Sequence, residues 1–162
     1  LHALHDEWFK LAEHVGRICI AEKRVIAGAE SCTGGLIAAV LTSVSGSSAW
    51  VDRGFVTYSN EAKMELLGVR AETLEQFGAV SEETAREMAA GALLHSRATI
   101  AYSVTGVAGP SGGTATKPVG MVCIGFASAS GVSSFTLHFN GDRSAVREQS
   151  VNFVLGKLAV RS

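Results

Sequence analysis

Apolar positions recur at helical spacing from the beginning of the chain. Leu4, Trp8, Leu11, Val15, Ile18 and Cys19 fall on one stripe, with Asp6, Lys10, Glu13 and Arg17 between them. This period predicts an amphipathic helix over residues 4–19. Residues 24–30 are a short apolar run, the pattern of a buried strand, and lead into Ser31-Cys32-Thr33-Gly34-Gly35 and an apolar helical stretch over 36–42. Residues 50–59 have strand character. Asn60 is the expected N-cap of a short helix that carries Lys63, Met64 and Leu67 and stops at Gly68. A helical turn is expected over 72–77. Ser81-Glu82-Glu83-Thr84 begins a helix to about residue 96, a capping-box pattern without the final acid, Thr84 standing in its place.

Residues 98–105 read as a strand ending at Gly106, followed by a glycine-rich loop over 106–120. Loops of that length inside a compact domain are usually functional. Strands over 121–128 and 133–139 flank Gly131 and predict a hairpin. Asp142 can cap a last helix whose buried face holds Val146, Val151, Val154, Leu155 and Leu158. The order of elements predicts an α/β fold with a mixed sheet covered by helices. Neither an internal repeat nor a linker interrupts it, so residues 1–162 are expected to form a single domain.

Composition narrows the function classes. Hydrophobic residues make up 47% and charged ones 18%, which excludes a disordered chain. Lys+Arg 14 against Asp+Glu 15 leaves no field of one sign to hold nucleic acid. Cys19, Cys32 and Cys123 are odd in number and lack C-x-x-C spacing, so neither a disulfide framework nor a cysteine zinc site is expected. A reducing, cytoplasmic setting follows. Apolar runs such as 119–127 are too short to span a membrane, and the acids near the N-terminus do not make a secretory leader. The chain opens at Leu1 rather than Met, so start residues are expected to be missing.

Two residue sets could carry chemistry. Ser31 lies between a strand and a glycine-containing helix start, where it serves either as an N-cap or as a hydroxyl facing free amides that stabilise an oxyanion. Both the G-x-S-x-G elbow and a Walker A lysine are missing around it. His2, His5, His14, His95 and His138 have no motif about them, so a histidine triad is unsupported. Lysine can act as the base when burial lowers its pKa. Lys63, after Tyr58-Ser59-Asn60-Glu61-Ala62, is either such a base or a solvated helix lysine, and Tyr58 a rim aromatic.

Six strings occur in order: Ala29-Glu30-Ser31-Cys32-Thr33-Gly34-Gly35, Val56-Thr57-Tyr58-Ser59-Asn60-Glu61-Ala62-Lys63, Gly78-Ala79-Val80-Ser81, Thr105-Gly106-Val107-Ala108-Gly109-Pro110, Lys117-Pro118-Val119-Gly120 and Gly141-Asp142-Arg143. Together, over about residues 7–158, they closely resemble the CinA C-terminal domain family, whose characterised members are nicotinamide mononucleotide deamidases. Ser111 stands where that family is expected to have glycine.

The resemblance implies a three-layer α/β/α domain that hydrolyses the carboxamide of nicotinamide mononucleotide to nicotinate mononucleotide and ammonia. It implies Ser31 as nucleophile, with Lys63 and Tyr58 as its activating and proton-handling partners. Amides near Cys32–Gly35 would receive the oxyanion, and no metal or cofactor is called for. Arg143 is expected on the substrate phosphate, with Thr105, Gly106 and Gly109 in the same cleft. Thr33, Gly34 and Gly35 are expected around the substrate. Arg147 and Lys117 read as surface charge, and Glu30 as either a partner of Lys63 or a structural acid. The expected partner is a small-molecule nucleotide, and family analogy adds a homo-oligomer. Two other readings stay open: a non-catalytic nucleotide-binding or interaction module of a competence or damage-inducible system, and a Ser–Lys amidase for another small amide.

Overall fold

A computed structural model describes residues 5–161; His2 and Leu4 lie outside them. The elements are α1 (Asp6–Glu22), β1 (Ile26–Glu30), α2 (Leu36–Leu41), β2 (Val51–Val56), α3 (Asn60–Leu67), α4 (Ala71–Phe77), α5 (Glu82–Leu94), β3 (Ile100–Gly106), β4 (Met121–Ser128), β5 (Gly131–His138) and α6 (Arg143–Leu158). The sheet runs β2-β1-β3-β4-β5. Its first three strands are parallel, and β4 and β5 are antiparallel additions.

Alternation along the central strands divides the interior into two cores. Ile26, Tyr102, Val104, Val122 and Ile124 face α1, α2 and α6, meeting Trp8, Val15, Ile37, Val40, Val151 and Leu155. Ala27, Ala29 and Ala101 face the other way, toward Met88 and Ala92 of α5 and Leu67 at the end of α3. The result is the expected α/β/α sandwich on a mixed sheet. Small residues bring α5 close: a Cβ on Gly91 would lie 2.0 Å from the Leu67 carbonyl oxygen, and one on Gly125 2.6 Å from that of Ala85.

Local chemistry moves several expected boundaries. Ser59, not Asn60, caps α3, its hydroxyl accepting from the Ala62 amide. Residues 71–77 form a full helix rather than a turn. Ser81 and Asp142 cap α5 and α6 as expected, accepting from the amides of Thr84 and Ala145. Among the described residues no helix is long and apolar enough to cross a membrane.

The connections place the cleft. From β1 the chain passes through α2 on one face, and from β2 it passes through α3 on the other. The carboxyl ends of β1, β2 and β3 therefore open onto a crevice between diverging segments, the usual ligand position in open α/β sheets.

Candidate active site

A cleft of about 280 Å³ lies at those strand ends, lined by Ser31, Cys32, Tyr58, Asn60, Lys63, Ala79, Val80, Thr105, Gly106, Ala108 and Arg143. Seven of these were expected from the sequence to act there or to line it: Ser31, Cys32 through its amide, Lys63, Tyr58, Thr105, Gly106 and Arg143. Lys63 begins on the first turn of α3 and turns inward until it is 1% exposed, which removes the solvated-lysine alternative. Its Nζ donates to Ser31 Oγ at 3.1 Å and to the Thr57 carbonyl at 3.0 Å. Burial pushes its pKa below the ordinary lysine value. Proximity to Cys32 opposes that shift only when the thiol is ionised, and burial pushes the Cys32 thiol up to about 12. Cys32 therefore stays a neutral thiol near pH 7.

Ser31 does not cap α2. Its main-chain amide bonds the Val104 carbonyl, and its side chain meets Lys63 instead. The cap comes from Glu30. That carboxylate accepts from the amides of Gly35, Ile37 and Ala38 and from the hydroxyls of Thr33 and Tyr102. Glu30 is thus a structural acid held by neutral donors, and not an ion-pair partner of Lys63.

This arrangement corrects the expected roles of the glycine turn. The Thr33 hydroxyl is spent on Glu30, the Gly34 amide on the Ser31 carbonyl, and the Gly35 amide on Glu30. The Thr33 side chain and the Gly34 and Gly35 amides therefore shape the turn. Gly34 and Gly35 do so at φ of 59° and 100°, values that glycine adopts without a side-chain clash. The amides of Cys32 and Thr33 have no oxygen acceptor among the described residues.

Arg143 spans the outer side of the cleft. Its guanidinium donates to the Gly109 carbonyl at 2.9 Å and to the Tyr58 hydroxyl at 3.1 Å. Asp142 caps α6 rather than pairing with it, so the arginine keeps its charge without a carboxylate partner among the described residues. Gly109 joins the site through that carbonyl only. Tyr58 is 63% exposed, and its hydroxyl meets Arg143, not Ser31 or Lys63. Thr105 donates to the Ala79 carbonyl and fastens the cleft floor.

Sequence reasoning missed three contributors. Arg147 is not surface charge: it donates to the Thr33 carbonyl at 3.1 Å, and its Nε is buried without a partner. Its spacing of four from Arg143 on one helix was the available signal. Tyr102 is buried and reaches Glu30 because Gly28, its register partner on β1, leaves room. Asn60 lines the cleft, a place its helix-start position did not reveal. Lys117 donates to the Phe77 carbonyl, away from the cleft. None of the four described histidines lines it.

A three-layer α/β fold with a lysine–serine pair at its strand ends defines a class of protein, and the family follows from comparison. A family model described as the CinA C-terminal domain matches residues 9–161, and the chain belongs to that family. It is 52% identical over 154 residues to the nicotinamide-nucleotide amidohydrolase PncC of Escherichia coli, covering 94% of this chain and 93% of that protein. It is 54% identical over 147 residues to the protein of the same name from Enterobacter agglomerans, covering 90% of each. The crystal structure of competence/damage inducible protein CihA from Agrobacterium tumefaciens superposes with a TM-score of 0.93 at 45% identity, covering 98% of this chain and 97% of that one.

Proposed function

We propose that this chain is a nicotinamide-nucleotide amidohydrolase that converts nicotinamide mononucleotide to nicotinate mononucleotide and ammonia through a serine nucleophile. The carrying observation is the hydrogen bond from Lys63 to Ser31 inside the cleft, in a chain more than half identical to proteins of that name over most of its length. An amide is a poor acyl donor, so its hydrolysis needs an activated nucleophile, a stabilised oxyanion and a proton for the leaving nitrogen. Each need has a residue.

Neutral Lys63 takes the Ser31 proton as Oγ attacks the carboxamide carbon. The amides of Cys32 and Thr33 receive the oxyanion. Protonated Lys63 then gives its proton to the departing nitrogen, which leaves as ammonia from a Ser31 ester. Lys63, neutral again, takes a proton from water as the water attacks that ester. Nicotinate mononucleotide leaves as the carboxylate, and Ser31 recovers its proton.

Arg143 is assigned to the 5′-phosphate, for which a planar guanidinium supplies paired donors. Tyr58, tied to Arg143, is assigned to the nucleotide end of the cleft, which leaves the proton transfers to Lys63. All three cysteines are free and buried, which suits a reducing cytoplasm, and the family analogy adds self-association.

Ammonia release from nicotinamide mononucleotide, with free nicotinamide and NAD as comparison substrates, tests the reading. Hydrolysis of the mononucleotide, abolished in Ser31→Ala, is the expected result. No release from the mononucleotide refutes the activity. A Ser31→Ala rate above about a tenth of wild type refutes the nucleophile, since losing it raises the barrier by well over the roughly 1.4 kcal/mol that a tenfold change represents.

A further inference from the structure

Glu30 immediately precedes the nucleophile and is 1% exposed. Oε1 accepts from the Thr33 hydroxyl at 2.6 Å, the Ile37 amide at 3.0 Å and the Gly35 amide at 3.2 Å. Oε2 accepts from the Ala38 amide and the Tyr102 hydroxyl, both at 2.9 Å. Every partner is a donor. An ionised carboxylate can receive all five, whereas a protonated acid or an amide would point a hydrogen at one of them.

These bonds tie both ends of the turn. Thr33 and Gly35 lie within it, Ile37 and Ala38 lie in the helix that follows, and Tyr102 crosses from the neighbouring strand β3. From the opposite side, the Leu36 amide and Arg147 both donate to the Thr33 carbonyl. Held this way, the turn uses the Gly34 and Gly35 amides internally and leaves those of Cys32 and Thr33 without an oxygen acceptor among the described residues.

We propose that Glu30 is a positioning residue for the acyl-transfer reaction: its carboxylate sets the Ser31–Gly35 turn so that the Ser31 hydroxyl and the Cys32 and Thr33 amides are aligned on the reacting carbonyl. The inference rests on Ser31 being the nucleophile. A displacement of about 1 Å at such a group costs roughly 100-fold in rate, so a defect in this carboxylate is read mainly in kcat. Tyr102 is a dependable donor here, because burial and the adjacent Glu30 charge hold its pKa well above the ordinary tyrosine value.

The test compares wild type, Glu30→Gln, Tyr102→Phe, Thr33→Val and Ser31→Ala. Glu30→Gln should lower kcat by at least about tenfold and keep KM within about threefold. The rate at which a fluorophosphonate modifies Ser31 should fall with it. The acid-side limb of kcat/KM, which belongs to Lys63, should keep its midpoint. A Glu30→Gln enzyme with wild-type kcat and labelling rate, beside an inactive Ser31→Ala, overturns the inference and leaves the nucleophile standing. An active Ser31→Ala instead overturns the reading beneath it. A limb moved to lower pH in Glu30→Gln overturns the inference too, because it makes Glu30 a counter-charge of Lys63. Should Glu30→Gln not fold, Tyr102→Phe and Thr33→Val each remove one of the five bonds. A severalfold loss of kcat at constant KM supports the inference, and unchanged kcat in both overturns it.

Discussion

Replacing Lys63 by arginine keeps a cation near Ser31 but removes a base, since guanidinium does not give up its proton at accessible pH. A reference lysine titrates near 10.4, so at pH 7 only about one amine in 2,500 is neutral, equivalent to roughly 4.6 kcal/mol against the base-competent form. Here the amine is 1% exposed. Its two hydrogen-bond partners, Ser31 Oγ and the Thr57 carbonyl, are uncharged. Burial lowers its pKa and enriches the neutral form. A positioned general base contributes about 10²–10⁴ in rate, or roughly 3–5.5 kcal/mol of barrier. Lys63→Arg and Lys63→Met should therefore each lose at least about a hundredfold in kcat.

The assay is kcat/KM against pH. Wild type should rise along a limb centred below the reference value of about 10.4, in the direction burial sets, and both variants should lack that limb. Stability carries the same signature. Between the lowered folded pKa and the unfolded value, the unfolded chain binds more protons, so wild-type stability should rise with pH through that window. Below the window both states are protonated, and the folded state bears the full cost of burying the cation. Lys63→Met should lack this rise in urea unfolding. A Lys63→Arg enzyme with wild-type activity and an unchanged limb would refute the base assignment.

Three further outcomes follow from the geometry. Arg143→Ala should raise KM for nicotinamide mononucleotide at least about tenfold with a smaller change in kcat, and should leave activity on the phosphate-free riboside little changed; equal losses on both would refute the phosphate assignment. Tyr58→Phe should keep kcat within about fivefold, since the hydroxyl meets Arg143 and losing such a bond affects binding more than chemistry; a loss comparable to Lys63→Arg would return proton transfer to Tyr58. Gly28→Ala would place a Cβ 2.0 Å from Tyr102 Cζ, so it should lose roughly 1–3 kcal/mol in urea unfolding and lower kcat as Tyr102 leaves Glu30.

Much of the fold was legible because the periods are clean. The apolar run of β1 and the helical stripes of α1 and α6 are local patterns that tertiary packing only confirms. The meeting of Ser31, Lys63 and Arg143 in one cleft was legible through the family resemblance, since the residues alone left a capping serine and a solvated lysine open. The bonding of the glycine turn was not. Ser31 occupies the place where a cap is expected, yet Glu30 one residue earlier does the capping, because Tyr102 arrives from 72 residues away to help hold the carboxylate inward. Arg147 was misread for the same reason: its acceptor, the Thr33 carbonyl, is 114 residues distant. Contacts of that range leave no periodic trace.

The separation of Glu30 from Lys63 follows from what the chemistry requires. Both are 1% exposed, both belong to the neighbourhood of Ser31, and they carry opposite formal charge. Had they paired at about 4 Å, an effective dielectric of about 20 would favour the ammonium by roughly 4 kcal/mol, cutting the neutral amine about a thousandfold. The base would then be protonated whenever the enzyme worked near neutral pH. Instead the carboxylate is satisfied by five neutral donors, and the amine by a hydroxyl and a carbonyl. Neither group needs the other to be tolerated in the interior. Burial alone is left to set the lysine, and it acts in the direction that makes a base.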